Sequence, residues 1–87
     1  MALTVIEREQ LKAAKLQLVG KAFKHFKGNI YFVDSVAMNA DTNEVMIIYH
    51  DIQDIESIWA RPYSEFTSLV DKQKYPNAKQ DKRFEEL

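Results

Sequence analysis

The sequence predicts a mainly β, α+β fold in which an N-terminal helix precedes a small antiparallel β-barrel. Three observations predict it: a capped helix-forming segment at 4–17, β-prone runs divided by turn residues, and a Pro that ends the last run. The 87 residues suffice for one domain. We assign that domain to residues 1–87, with the barrel core at 21–70 and a polar C-terminal tail at 71–87.

Residues 4–17 are predicted to be helical because Thr4 and Glu7 form a capping-box pattern and strong helix formers follow. At 100° per residue, one broad side collects the apolar residues Leu3, Ile6, Leu11, Ala13, Ala14 and Leu18. The opposite side carries the basic residues Arg8, Lys12 and Lys15. We interpret this as a core-facing stripe with a solvated back; the alternative is a basic stripe that meets an acidic partner or nucleic acid. Val5 and Leu16 lie off the stripe, either exposed or in a dimer contact.

Gly20 is expected to end the helix, and the alternating segment 21–26 reads as a strand. Gly28 lies in a turn that leads through a tight hairpin into the β-prone run 30–39. Asp34 breaks the alternation of that run, which predicts a bulge or bend near Asp34-Ser35. Such bends allow small barrels to close.

A polar turn at 40–43 precedes the continuous apolar run 45–49, which predicts a strand covered on both faces, by the barrel interior and by the N-terminal helix. Residues 50–57 are interpreted as a polar loop and 58–61 as the last strand. From Pro62 to Leu69 we expect a short helical turn that tucks Phe66 and Leu69 under the barrel. Phe84 is a candidate last anchor in the tail.

Composition excludes several classes of protein. The net charge of −1 argues against a general phosphate-backbone binder, which is usually basic. The chain has no Cys, which excludes disulfides, thiolate catalysis and Cys-based zinc sites. No apolar run approaches membrane-spanning length, and Glu7, Arg8 and Glu9 interrupt any signal-peptide pattern. We therefore expect a cytoplasmic protein with no membrane partner.

Trp59 and Arg61 suggest a binding site. Alternate side chains of a strand share a face, so the only indole and a guanidinium would project together. Pro62 then ends strand pairing because it has no N–H to donate. The alternative is structural: Trp59 in the core and Arg61 paired with a carboxylate such as Glu44 or Glu65.

Several motifs together resemble a small domain family of unknown function found in bacteria and their phages. They are His25-Phe26-Lys27-Gly28-Asn29-Ile30-Tyr31, Asp41-Thr42-Asn43-Glu44, Ile48-Tyr49, Trp59-Ala60-Arg61-Pro62 and Phe66. The likeness covers residues 21–66, with Arg83-Phe84 as a weaker echo of the family's closing Arg-Phe. The resemblance implies an SH3-like barrel and no settled activity. The helix before Gly20 departs from the family's usual core.

Catalysis is not expected. None of the serines is flanked by nucleophile-elbow glycines, and the two glycines lie too far apart for a phosphate loop. A metal site would need His25 and His50 to converge with a carboxylate, which the sequence does not require. We predict no metal and no cofactor.

We predict instead a non-enzymatic binding module for a small anionic, nucleotide-like ligand. The aromatic and cationic residues at the strand ends would form its site: His25, Lys27, Tyr31, Tyr49, Trp59 and Arg61. The phage connection of the resembled family suggests sequestration of a host molecule. The alternative is a protein-interaction or inhibitor module that uses the N-terminal helix or the aromatic face, with self-association included. Single-stranded nucleic-acid binding ranks third because of the near-zero net charge.

Overall fold

The chain folds into a five-stranded antiparallel sheet with a helix packed on one face. The computed structural model describes residues 2–87, so residue 1 of the predicted domain lies outside it. In chain order the elements are α1 (Val5–Leu18), β1 (Ala22–His25), β2 (Ile30–Met38), β3 (Val45–Asp51), β4 (Asp54–Pro62), α2 (Tyr63–Phe66) and β5 (Phe84–Glu86). The predicted mainly β, α+β class is confirmed.

Helix α1 begins where the capping box predicts. The Glu7 N–H donates to Thr4 Oγ1 at 3.1 Å, and the Thr4 N–H donates to Glu7 Oε1 at 2.9 Å. Its buried residues are Ala14 and Leu18. Ile6 of the predicted core stripe is 70% exposed, so the buried side of the helix is narrower than expected. No helix among residues 2–87 is long and apolar enough to cross a membrane.

The strands pair in the order β4-β3-β2-β1-β5. The predicted bulge in β2 is confirmed, because the register with β3 shifts between Val33 and Ser35. This shift leaves Asp34 exposed while Val33 stays fully buried. Consecutive strands β1 to β4 are neighbours, which is the simplest topology for such a chain.

The predicted polar loop at 50–57 is wrong. Strand β3 continues to Asp51 and β4 begins at Asp54, which leaves a tight turn at residues 52–53. Asp51 Oδ1 accepts the Gln53 N–H at 2.9 Å, and Asp54 Oδ1 accepts the Glu56 N–H at 3.2 Å. These two carboxylates stabilise the turn and the first residues of β4. Because those residues do not alternate between apolar and polar, the sequence pattern did not indicate a strand there.

The sheet is open, so the predicted closed SH3-like barrel is not confirmed. Strands β4 and β5 form its two edges and do not pair with each other. The sheet is nevertheless strongly curved. In a flat sheet β3 and β5, three positions apart, would be separated by roughly 14 Å, whereas the Tyr49 and Phe84 ring centroids lie 5.4 Å apart.

The core lies on the concave face of the sheet, where α1 and α2 also pack. Its buried members include Phe23, Val33, Ile47, Phe66 and Phe84. The prediction that the N-terminal helix covers the other face of β3 is wrong. The residues of β3 that point to that face are only half-buried: Met46, Ile48 and His50.

The chain after β4 departs most from expectation. The predicted helical turn at 62–69 is reduced to α2, which buries Phe66 as expected but leaves Leu69 70% exposed. Strand β5 lies within the segment interpreted as a polar tail. It pairs with β1, with Phe84 opposite His25.

Candidate functional site

Trp59 and Arg61 project from the same face of β4. Tyr49 lies opposite Trp59, and Ile47 lies opposite Arg61; partners across an antiparallel pair share a face. Because Tyr49 and Ile47 are buried, this is the core-facing side of the sheet. Strand β4 is an edge strand, however, so Trp59 remains 54% exposed. The indole is therefore not sealed in the core.

Tyr49 and Tyr31 pack against each other on the core-facing side of the sheet, and Tyr49 also contacts Arg61. The Tyr49 ring is 4% exposed and meets the Tyr31 ring edge-on with centroids 5.3 Å apart. The Tyr49 hydroxyl oxygen accepts a hydrogen bond from Arg61 Nε at 3.1 Å. Tyr49 thus fixes the guanidinium and does not present a stacking surface to a ligand. Burial, followed by the Asp51 carboxylate, raises the pKa of the Tyr31 phenol above its usual value.

Three of the six predicted residues meet at one place. His25, Lys27 and Arg61 line a cleft of about 350 Å³, which we name the basic cleft. Its remaining walls are Phe26, Val70, Asp71, Lys74, Tyr75 and Arg83. Trp59 lies outside this cleft.

The hairpin between β1 and β2 positions His25 and Lys27. The His25 N–H donates to the Asn29 carbonyl at 2.8 Å, and the Gly28 N–H donates to the His25 carbonyl at 2.8 Å. Gly28 has φ +114, a conformation that a side chain would strain. The glycine of the H-F-K-G motif therefore sets the turn that brings Lys27 to the cleft.

Arg83 reaches the cleft through long-range backbone pairing. The β1–β5 pairing places Phe84 opposite His25, and the Phe26 N–H donates to the Arg83 carbonyl at 3.0 Å. Arg83 Nε is buried and has no hydrogen-bond partner among residues 2–87. An unsatisfied buried donor costs about 1–3 kcal/mol. A ligand oxygen that accepted this proton would recover that energy.

Positive charge is in excess around the cleft. Lys27, Lys74 and two arginines line it, against one lining carboxylate, Asp71. Asp71 Oδ1 already accepts two backbone N–H groups, from Gln73 at 3.0 Å and from Lys74 at 3.3 Å. Arg61 also meets Glu65, but at 3.5 Å and with that carboxylate 57% exposed. Such an exposed pair is weak, so most of the positive potential remains available to a ligand.

His25 is held neutral inside this cluster. Burial, followed by the positive charges of Arg61, Arg83 and Lys27, lowers the pKa of His25 to about 4. Its Nδ1 accepts the Lys27 backbone N–H at 3.1 Å, so the ring proton resides on Nε2. His25 is therefore a neutral donor at pH 7. Among residues 2–87, no group of three or more His, Asp or Glu side chains is arranged to hold a metal ion.

An aromatic groove of about 360 Å³ adjoins the basic cleft. The Phe26 and Tyr75 rings meet edge-on with centroids 4.9 Å apart, and Lys27 Nζ lies 5.2 Å from the Tyr75 centroid. The cleft and the groove share four residues: Phe26, Lys27, Lys74 and Tyr75. One ligand can therefore contact both. A flat group on the Tyr75 ring would take the place of Lys27 or Lys74, whose Nζ atoms lie 5.2 and 5.5 Å from that ring's centroid.

Sequence reasoning missed the contributions of Phe26, Lys74, Tyr75 and Arg83. Three of these four lie in the segment interpreted as a polar tail. The β1–β5 pairing and the bridge between Leu69 and Lys82 bring that segment back to the cleft. The Arg83-Phe84 pair in the family resemblance is the signal that could have located this segment.

A family model described as "Protein of unknown function (DUF1653)" matches residues 21–86. This range begins after α1 and includes every strand and every residue that lines the basic cleft. No curated protein and no solved structure matches the chain.

Proposed function

Because the chain belongs to the family of proteins of unknown function DUF1653, we propose its function from the structure of the basic cleft alone. We propose that the basic cleft binds a small anionic, nucleotide-like ligand. The observation that carries the proposal is the concentration of positive charge. Four basic side chains surround a neutral histidine in a chain whose net charge is −1. Such focusing favours an anion at one location without making the whole surface attract nucleic acid.

The anion-binding groups differ in how firmly they are placed. Arg61 is oriented by the Tyr49 hydroxyl, and its guanidinium carbon lies 6.0 Å from the Phe84 ring centroid. Arg83 supplies a buried Nε that lacks a partner among the described residues. Lys27 and Lys74 are exposed at the rim. One guanidinium held by a hydrogen bond, one with an unpartnered donor, and two exposed ammonium groups at the entrance suit a phosphate or carboxylate.

The aromatic groove favours a ligand with a flat group. The two adjoining spaces, about 350 and 360 Å³, are each within the usual range for small-molecule sites. Stacking of a base on an aromatic side chain is worth about 1–3 kcal/mol. A nucleoside phosphate combines both requirements, which is why we favour it over inorganic phosphate alone.

The test compares ligands that carry each part separately. Calorimetry and thermal-shift measurements with nucleoside monophosphates, nucleosides and inorganic phosphate should rank the monophosphates first. Affinity should also fall as salt rises. If the phosphate-free nucleosides bind as tightly as the monophosphates, or if nothing on the panel binds, the proposal is wrong. A short single-stranded oligonucleotide that binds far more tightly than any mononucleotide would support nucleic-acid binding instead.

Lysine variants test the location, since these side chains are exposed and their removal leaves the core intact. Lys27→Ala and Lys74→Ala should each weaken nucleotide binding about 3- to 30-fold. Lys79→Ala is the matched control. Lys79 is an exposed lysine in the same loop as Lys74, but it does not line the cleft. Equal affinities for the three variants would place the ligand elsewhere.

A further inference from the structure

The outward side of α1 carries a seam that nothing covers within residues 2–87. Val5 and Leu16, at its two ends, are 76% and 83% exposed. Glu9 and Lys12 lie between them and are also exposed. The spacing of four, three and four residues aligns these side chains along one side of a helix. We name Val5, Glu9, Lys12 and Leu16 the outer seam.

The outer seam points away from the protein's own core. At 100° per residue its members fall within about 60° of one another, roughly opposite the buried Ala14 and Leu18. Neither Glu9 nor Lys12 forms an ion pair with another side chain of the described chain. Val5 and Leu16 lie about 16 Å apart along the helix, with two unpaired charges of opposite sign between them. What indicates a partner is therefore the order of apolar and charged residues along the seam.

The order of residues along the seam is self-complementary. It runs apolar, acidic, basic, apolar, so a second copy in the opposite direction meets it with matching chemistry. Val5 then faces Leu16 of the second copy, and Glu9 faces Lys12. Two-fold symmetry makes each of these contacts twice. A parallel pair would instead place Glu9 against Glu9 and Lys12 against Lys12, and like charges repel.

The two flanks of the seam differ. On one side lie Ile6, 70% exposed, and Ala13, which borders a groove of about 420 Å³ between α1, β3 and α2. This flank adds apolar surface to a helix pair. On the other side lie Arg8 and Lys15, both exposed. Their like charges would face each other across an antiparallel contact, which keeps the association weak.

We propose that two copies of this chain associate through antiparallel packing of their α1 helices along the outer seam. A helix of 14 residues is about 21 Å long. A contact of that length falls in the small class of interfaces, so we expect a dissociation constant on the order of 0.1 mM. This inference is independent of the basic cleft, which lies in the part of the chain after α1.

Sedimentation equilibrium of the full chain from about 10 µM to 1 mM tests the proposal. Leu16→Glu should raise the dissociation constant about 10- to 100-fold, because the change removes two symmetric apolar contacts. Leu69→Glu is the matched control, since Leu69 is 70% exposed but lies outside α1. A chain that stays monomeric at 1 mM, or a dimer that resists Leu16→Glu, overturns the proposal.

A charge swap tests the antiparallel register. Glu9→Lys and Lys12→Glu should each weaken the dimer, because each places like charges opposite one another twice. The combined variant restores opposite charges and should recover the native dissociation constant within about threefold. Circular dichroism checks that every variant keeps its helix. A combined variant that dimerises no better than the singles rules out this register.

Discussion

Phe84→Ala is predicted to remove a large part of the stability of the fold. Phe84 is 4% exposed, stacks on Phe66 with centroids 4.1 Å apart, and meets the rings of His25 and Tyr49 at 5.0 and 5.4 Å. Truncation of a buried Phe to Ala typically costs 3–5 kcal/mol, here about 4. A chain of 87 residues is expected to have only about 4–13 kcal/mol in total. The variant should therefore be marginally folded at 37 °C.

Urea denaturation followed by circular dichroism measures this effect. With a slope of about 1–1.5 kcal/mol per molar, a loss of about 4 kcal/mol should lower the midpoint by roughly 3–4 M urea. Leu87→Ala serves as the control in the same segment; Leu87 is 68% exposed, and its truncation should change stability by less than about 0.5 kcal/mol. A loss below about 1 kcal/mol for Phe84→Ala would show that β5 is not part of the core.

Three further changes test local features. The pKa of His25 is about 4 in the folded protein and near 6.5 in the unfolded chain, so the unfolded chain binds the extra proton first as the pH falls from 7 toward 4. This acidification should therefore lower the free energy of unfolding of the native protein by about 1–2 kcal/mol more than that of His25→Gln. Equal losses for the two proteins would contradict this. Thr4→Ala should cost about 1 kcal/mol by removing the cap of α1, measured by urea denaturation with Thr4→Ser as the control. Gly28→Ala should cost about 1–3 kcal/mol, because its φ of +114 strains any Cβ although nothing lies within 4 Å; unchanged stability would show that the turn relaxes.

Local signals predicted their elements well. Thr4 and Glu7 located the start of α1 because a capping box satisfies the first helical N–H groups within a few residues of sequence. Asp34 located the bulge of β2 because it interrupts the apolar alternation of the strand. The register shift there lets Val33, before the bulge, and Val36, after it, both face the core. Both inferences depend on neighbours along the chain, which a sequence shows directly.

The start of β4 and the whole of β5 could not be predicted in the same way. An edge strand with most of its residues exposed shows no apolar alternation, and Asp54 to Ser57 therefore resembled a loop. Strand β5 has three residues, and its pairing partner β1 lies about sixty positions earlier in the chain. The same distance along the chain explains which cleft residues could be predicted. His25, Lys27 and Arg61 were recognisable from their motifs, whereas Arg83 is placed by backbone hydrogen bonds with Phe26 and Ser68, both distant in sequence.

The basic cleft lies where the two edges of the open sheet, β4 and β5, approach each other without pairing. In a closed barrel β4 and β5 would pair through their backbones. Here Pro62 ends β4 without an N–H to offer, and the Arg61 side chain crosses toward the Phe84 ring of β5. Guanidinium groups and aromatic rings thus line the space between the two edges, together with Val70 and Asp71 of the segment after α2. A ligand bound to both Arg61 and Arg83 would join the two edges that backbone hydrogen bonds leave apart. Bound nucleotide should therefore slow amide hydrogen exchange in β4 and β5 more than in the central strand β2, and uniform protection would argue against this account.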